Sequence, residues 1–257
     1  MRFAQADLAY AVDAALAAGD EILSAYEGHN EPRFKDGGSP VTEADTRAHH
    51  VITTRLSDRY PDIPVVSEEA GDLASFEIRR TWDQLWLVDP LDGTKEFLKR
   101  NGQFTVNIAF VQGGRPLAGV VYAPALGLLY TGLVGSGASK RNERHVTVPM
   151  PIPAARSSLI IVGSQSHHSP EMDEFVARQR LEHRQVEFKT LGSSLKICLV
   201  AEGSADIYPR FGPTMEWDTA AAHAIAIAAG RRLISRRTQR ELSYNKASLE
   251  NDWFIAL

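Results

Sequence analysis

The chain has only one cysteine, Cys198, in 257 residues. An internal disulfide framework is therefore excluded, and a reducing compartment fits. Ile197, Leu199 and Val200 surround that cysteine, so a buried structural thiol is expected rather than a nucleophile. No stretch approaches the ~18 apolar residues of a membrane span, and no integral membrane segment is expected. Asp7, Asp13 and Asp20 interrupt the apolar runs near the start, which argues against a secretory leader. A cytoplasmic location follows as the expectation, with peripheral association at the inner membrane left open. Positive charge is not in excess: 28 Lys and Arg stand against 32 Asp and Glu, a net charge of −4. General nucleic-acid binding is thus disfavoured, and a polyanionic ligand would have to be neutralised locally by cations or metal. Internal repeats and low-complexity tracts are also missing.

What is present is a 44% hydrophobic composition, enough for one large core or two tightly packed ones. Residues 3–26 space Leu8, Val12, Leu16, Ile22 and Leu23 for a helix, with Gly28 as a stop. A polar, Gly-rich loop spans Lys35 to Pro40. Thr42-Glu-Ala-Asp45 has the capping-box shape and opens a second helix with Val51, Ile52 and Leu56 on its apolar face. Ile63 to Val66 reads as a short strand. Phe104–Val111, Pro116–Tyr122 and Leu128–Val134 read as consecutive strands with a Gly113-Gly114 turn, a meander that indicates α+β layering. Three prolines between Pro149 and Pro153 mark a candidate linker, dividing residues 1–150 from 151–257. Beyond it, strands at Leu159–Val162, Val186–Phe188 and Ala205–Tyr208 alternate with helices. These helices are opened by Ser169-Pro170-Glu171, spread over Ser193–Glu202 before Gly203, and run from Asp218 to Ala229 before Gly230.

The most informative stretch is Trp86 to Phe97. An apolar run, Leu85 to Val88, stops at Asp89; Pro90 is expected to end the sheet ladder, Asp92-Gly93 to turn the chain, and Thr94 to start a helix. Two carboxylates at a strand end, beside amides at a helix start, suit a divalent cation bridging protein and phosphate. Glu68 and Asp218 also stand at ends of apolar elements. Each has a plainer reading: Glu68 with Glu69 as a solvated pair, Asp45 as a first-turn acid, Asp218 as the N-cap of the Ala-rich helix. If they converge, the Leu91 carbonyl adds a backbone ligand, and Thr94 with Asp45 can orient and deprotonate a water.

In combination, Asp89-Pro-Leu-Asp-Gly-Thr94, Ser67-Glu-Glu69 and Trp217-Asp-Thr-Ala-Ala221 resemble the lithium-sensitive, magnesium-dependent phosphatases of the inositol monophosphatase superfamily, over essentially the whole chain. Gly93-Thr-Lys-Glu-Phe-Leu-Lys-Arg-Asn-Gly102, Phe104-Thr-Val-Asn-Ile-Ala109, Gly192-Ser-Ser-Leu-Lys-Ile-Cys-Leu-Val-Ala-Glu-Gly203 and Tyr208-Pro-Arg-Phe-Gly-Pro213 resemble its CysQ type of 3′(2′),5′-bisphosphate nucleotidase. Lys95-Glu96-Phe97 stands where inositol monophosphatases typically carry Thr-Asn-Phe.

The resemblance implies an α-β-α-β-α sandwich with the site between the two regions. It implies two or three Mg²⁺ ions on Glu68, Asp89, Asp92, Asp218 and the Leu91 carbonyl, with Li⁺ inhibitory. Asp45 and Thr94 would be the water-activating pair, and the Gly93 and Thr94 amides would hold the scissile phosphate. His167, Ser193, Lys196 and Arg210 would approach the nucleotide, and Asp218 a substrate hydroxyl. Plainer readings stand beside these too: His167-His168 as a solvent loop, Lys196 as a surface residue, Arg210 as a packing cation. The expected reaction removes the 3′-phosphate of adenosine 3′,5′-bisphosphate, giving AMP, and extends to 3′-phosphoadenosine 5′-phosphosulfate. An inositol or sugar monophosphatase is the alternative, and a catalytically silent nucleotide or metal sensor a third. A monomer or homodimer is expected, and the direction in which Glu216 points is open.

Overall fold

A computed structural model describes residues 3–28, 40–153, 157–164 and 169–257, and the backbone of 33–34. Helix α1 (Gln5–Glu27) is followed by two short paired strands, β1 (Arg33–Phe34) and β2 (Pro40–Val41), and by α2 (Glu43–Arg59). Then come β3 (Val65–Ser67), α3 (Phe76–Arg79), β4 (Gln84–Asp92) and α4 (Thr94–Leu98). The meander follows as β5 (Thr105–Gln112), β6 (Arg115–Ala123), β7 (Leu128–Leu133), β8 (Gly137–Arg141) and β9 (Thr147–Met150). Strands β3 to β9 form one sheet in sequence order, antiparallel except for β3 beside β4.

The apolar run of β4 is continuous because both faces of this sheet are buried. Trp86 and Val88 pack with Ile108, Phe110 and Val120 against α1 and α2. Leu85 and Leu87, one residue out of phase, pack with Ala109, Val111 and Val121 against the opposite layer. That layer holds α6 (Leu195–Glu202) and α7 (Glu216–Ala228). Two glycines admit α7: a Cβ on Gly119 would lie 2.0 Å from the Ala221 carbonyl oxygen, and one on Gly132 2.6 Å from the Ile225 Cα.

Beyond these helices lie β10 (Leu159–Gly163) parallel to β11 (Val186–Thr190), and a small antiparallel sheet of β12 (Tyr208–Arg210), β14 (Phe254–Ala256) and β13 (Leu233–Ser235). Helix α5 (Pro170–Glu182) is capped by the Ser169 hydroxyl, which accepts from the Met172 amide. The result is the layered α-β-α-β-α arrangement.

Several local expectations need correction. The ladder does not end at Pro90: a register shift between Asp89 and Asp92 lets pairing resume at Asp92 with Thr105. The prolines near 150 do not begin a free linker, since Thr147–Met150 pairs with β8 and Pro149 is tolerated on that edge strand. Strand β12 occupies Tyr208–Arg210 rather than Ala205–Tyr208, although Ile207 still forms a parallel bridge to Ile161. β8, β13 and β14 lack a clear alternating pattern and had no counterpart in the sequence reading.

Candidate active site

The register shift in β4 turns the backbone after Asp89, so that Asp89 and Asp92 both reach one cleft instead of alternating faces. The Asp89 carboxylate is almost fully buried, and its Oδ1 accepts from the Leu91 amide at 3.0 Å. Gly93 takes a left-handed φ of 94°, which allows α4 to start at once, and Phe97 anchors that helix in the core against Tyr26 and Phe104.

Asp218 enters from the other half. It is not the N-cap of α7 but its third residue; Met215 is the cap, and Asp218 Oδ2 accepts from the Met215 amide at 2.8 Å. The expected start at Asp218 was late because Glu216 and Trp217 carry no helix-start signature. The bond leaves the second oxygen of Asp218 for the cleft. One carboxylate oxygen from each of Glu68, Asp89 and Asp218 lies within 4.8 Å of the others. The solvated-pair reading of Glu68 therefore fails in its essential point, since Glu68 faces two other acids.

Such a cluster is electrostatically costly. Burial, reinforced by Glu68, Asp92 and Asp218, pushes the Asp89 carboxyl well above the usual carboxylate range. Asp218 is raised in the same way, by burial and then by Asp92. Asp92 is pushed up to about 6 by burial, although Lys196 and the Ser194 amide, 2.6 Å away, pull it down. Hard oxygen donors crowded together with too little positive charge fit a Mg²⁺-type cation, which would reverse the upward shifts.

Asp45 lies across the cleft at N3 of α2. Its Oδ2 accepts from the amide and the hydroxyl of Thr42, both at 2.7 Å, which completes the capping box. Oδ1 is then available to accept the Thr94 hydroxyl at 3.3 Å. Burial raises the Asp45 carboxyl and Glu68 adds to the rise, while the Thr42 bonds oppose it. The capping role and the contact with Thr94 thus use different oxygens of one side chain.

The same cleft is a cavity of about 310 Å³ whose lining includes Glu68, Asp89, Leu91, Asp92, Gly93, Thr94, Ser193, Lys196, Arg210 and Asp218. Every candidate residue named from the sequence lies on this wall or beside it, except His167, which falls outside the described residues. Lys196 is not a surface residue: it is buried, bonded to the Ser193 carbonyl at 2.5 Å and seated 5.5 Å from the centre of the Tyr208 ring. Burial lowers its ammonium to about 8, with Asp92 opposing and Arg210 adding to the drop. Arg210 donates through Nη2 to the Pro213 carbonyl at 2.7 Å, and its buried Nε has no partner among the described residues. Lys95 and Glu96 line the cavity as well.

Sequence reasoning missed the group that fastens the Ser193 loop. The Ser194 hydroxyl donates to Asn107 Oδ1 at 2.8 Å and lies 2.9 Å from the Thr105 hydroxyl, while the Gly192 amide donates to Gln103 Oε1 at 2.8 Å. Polar Thr105 and Asn107 inside an otherwise apolar strand were the available signal.

The layered α-β-α-β-α frame with its cleft of carboxylates is that of a phosphatase class: the chain belongs to the inositol monophosphatase family, whose profile matches residues 4–252. It is 50% identical over 215 residues to the 3′(2′),5′-bisphosphate nucleotidase CysQ of Salmonella typhimurium, covering 83% of this chain and 84% of that protein. The crystal structure of CysQ from Bacteroides thetaiotaomicron superposes with a TM-score of 0.88 at 46% identity, covering 99% of this chain and 97% of that one. The suhB protein of Bartonella henselae, at 24% identity and a TM-score of 0.76 over 96% of this chain and 91% of its own, shares the fold.

Proposed function

We propose that the protein is a Mg²⁺-dependent 3′(2′),5′-bisphosphate nucleotidase. It hydrolyses the 3′-phosphate of adenosine 3′,5′-bisphosphate to AMP and phosphate, and 3′-phosphoadenosine 5′-phosphosulfate to adenosine 5′-phosphosulfate. The supporting observation is one cavity lined by both signs of charge: Glu68, Asp89, Asp92 and Asp218 together with Lys196 and Arg210. A substrate with two anionic groups suits that lining, with one group held through cations bound at the acids and the second met by Lys196 and Arg210. The CysQ relatives support the same assignment. No helix among the described residues is long and apolar enough to cross a membrane.

Glu68, Asp89, Asp92, Asp218 and the Leu91 carbonyl would hold the cations. When bound there, Mg²⁺ supplies charge neutralisation and Lewis-acid polarisation of phosphate and water. Thr94 and Asp45 do the proton work: the Thr94 hydroxyl accepts a proton from the attacking water as it passes its own to Asp45 Oδ1. The contact between the Thr94 hydroxyl and Asp45 Oδ1 gives the proton a direct path. The water oxygen bonds to phosphorus, the bond to O3′ breaks, the ribose oxygen takes up a proton from solvent water, and Asp45 releases its proton to solvent to complete the turnover. The Gly93 and Thr94 amides orient the scissile phosphate, and Ser193, Lys196 and Arg210 receive the remainder of the nucleotide. Li⁺ should inhibit by competing for one cation position.

The test is phosphate release from adenosine 3′,5′-bisphosphate, its phosphosulfate analogue, inositol 1-phosphate and a sugar bisphosphate, with and without Mg²⁺. Preference for the adenosine compounds is expected. Equal or faster turnover of inositol 1-phosphate would overturn the substrate assignment, and undiminished activity in a chelator the metal assignment.

A further inference from the structure

Glu216 does not point into the cleft. Its carboxylate is fully buried on the far side of the first turn of α7, two residues before Asp218. There it accepts from the Asn245 amide at 2.5 Å, the Lys246 amide at 3.0 Å and the Lys246 ammonium at 2.5 Å. The Glu216 amide donates to the Leu249 carbonyl at 2.8 Å, and Asn251 Nδ2 donates to the Met215 carbonyl at 2.7 Å. The segment from Asn245 to Asn251 is therefore tied to the cap and first turn of the helix that carries Asp218.

That segment is also tied to the first half of the chain. Buried Arg79, at the end of α3, donates through Nη1 to Asn245 Oδ1 at 2.9 Å and to the Lys246 carbonyl at 3.1 Å, and through Nη2 to the Ala247 carbonyl at 3.3 Å. Asn245 Nδ2 returns a bond to the Arg79 carbonyl at 2.8 Å, from a backbone held at a left-handed φ of 61°. A continuous path of short polar contacts thus links Arg79, five residues ahead of β4, to the first turn of α7. β4 carries Asp89, and α7 carries Asp218. The path joins the elements that carry these two acids.

We infer that Glu216, with Lys246 and Arg79, positions Asp218 and thereby sets the affinity of the site for its divalent cation. The inference rests on the reading of Asp218 as a metal ligand. A neutral glutamine at 216 would lose the pairing with Lys246 and would turn an amide NH₂ toward backbone donors, letting the first turn of α7 shift. Groups that orient metal ligands commonly change affinity by roughly 10–100-fold when altered.

The experiment measures Mg²⁺ binding by calorimetry and Mn²⁺ binding by electron paramagnetic resonance, on full-length protein without substrate. The variants are Glu216→Gln, Lys246→Met, Lys246→Arg and Asp218→Asn. The expected result is cation affinity weakened at least ~10-fold in Glu216→Gln and Lys246→Met, with recovery in Lys246→Arg. The half-saturating Mg²⁺ for phosphate release should rise by the same factor. Lower thermal stability with cation affinity within twofold of wild type would overturn the inference. Lys246→Met leaves both amide donors on Glu216 and decides the question if Glu216→Gln does not fold. If Asp218→Asn itself leaves affinity unchanged, the metal-ligand reading fails instead.

Discussion

Asp92→Asn should make the cation-free protein more stable near neutral pH while weakening its response to Mg²⁺. Asp92 is partly open to the cleft, and burial together with Glu68 lifts its carboxyl from an ordinary 3.8 to about 6, despite Lys196, the Ser194 amide and Asn107. The fold therefore binds this proton more tightly than the open chain does. Its stability accordingly falls as pH rises from 3.8 through about 6, and levels off above that. At about 1.4 kcal/mol per pH unit the ionised carboxylate costs about 3 kcal/mol, and solvent screening at the cleft reduces this to roughly 2 kcal/mol. Asparagine keeps an oxygen for the Ser194 amide and removes the charge. In a chain of this size, roughly 2 kcal/mol corresponds to a Tm increase of about 4–8 °C. Thermal unfolding in EDTA at about pH 7.5 should show that increase, and at about pH 4.5 the gap should close to within about 1 kcal/mol. Saturating Mg²⁺ should raise wild-type stability by about 2.7 kcal/mol at a hundredfold excess over its Kd, and raise the variant by much less. An Asp92→Asn protein with native circular dichroism but no gain in EDTA at neutral pH would refute the view that uncompensated charge shapes this cleft.

Thr94→Val removes the hydroxyl 3.3 Å from Asp45 but leaves the acids intact, so kcat should fall by roughly 10²–10⁴ while Mg²⁺ affinity measured by calorimetry is unchanged. Lys196 titrates near 8, so its cation is present below that value and lost above it. The kcat/KM for a bisphosphate should consequently decline above about pH 8, and Lys196→Met should lower it at neutral pH and flatten that limb of the profile.

The acidic elements of the site were legible because each sits in a short local motif. An apolar run ending in Asp-Pro-Leu-Asp-Gly-Thr places two carboxylates at a strand end, and Thr42 with Asp45 announces a helix start by spacing alone. The local readings were ambiguous for the same reason, since a capping acid and a functional acid share one signature. In Asp45 the two readings are compatible, since one oxygen completes the cap with Thr42 and the other meets the Thr94 hydroxyl. Lys196 lies where the family resemblance places it, and only its plainer surface reading fails: a lysine at one position of a helix usually finds solvent, but here the helix face opens on a cavity with Asp92 beside it.

What the chain did not disclose locally is how Asp218 meets Glu68 and Asp89. That depends on α7 lying close against the sheet, which in turn depends on Gly119 and Gly132, since a methyl at either would collide with helix backbone. Neither glycine sits in a turn or carries a left-handed φ, so each looks from sequence like a defect inside a strand. Close approach alone leaves α7 free to slide along its axis. The Glu216 contacts with Asn245 and Lys246, joined to Arg79, oppose that motion. Packing therefore sets the depth of Asp218 and the polar strap its register, so that acids from distant parts of the chain meet in one cluster.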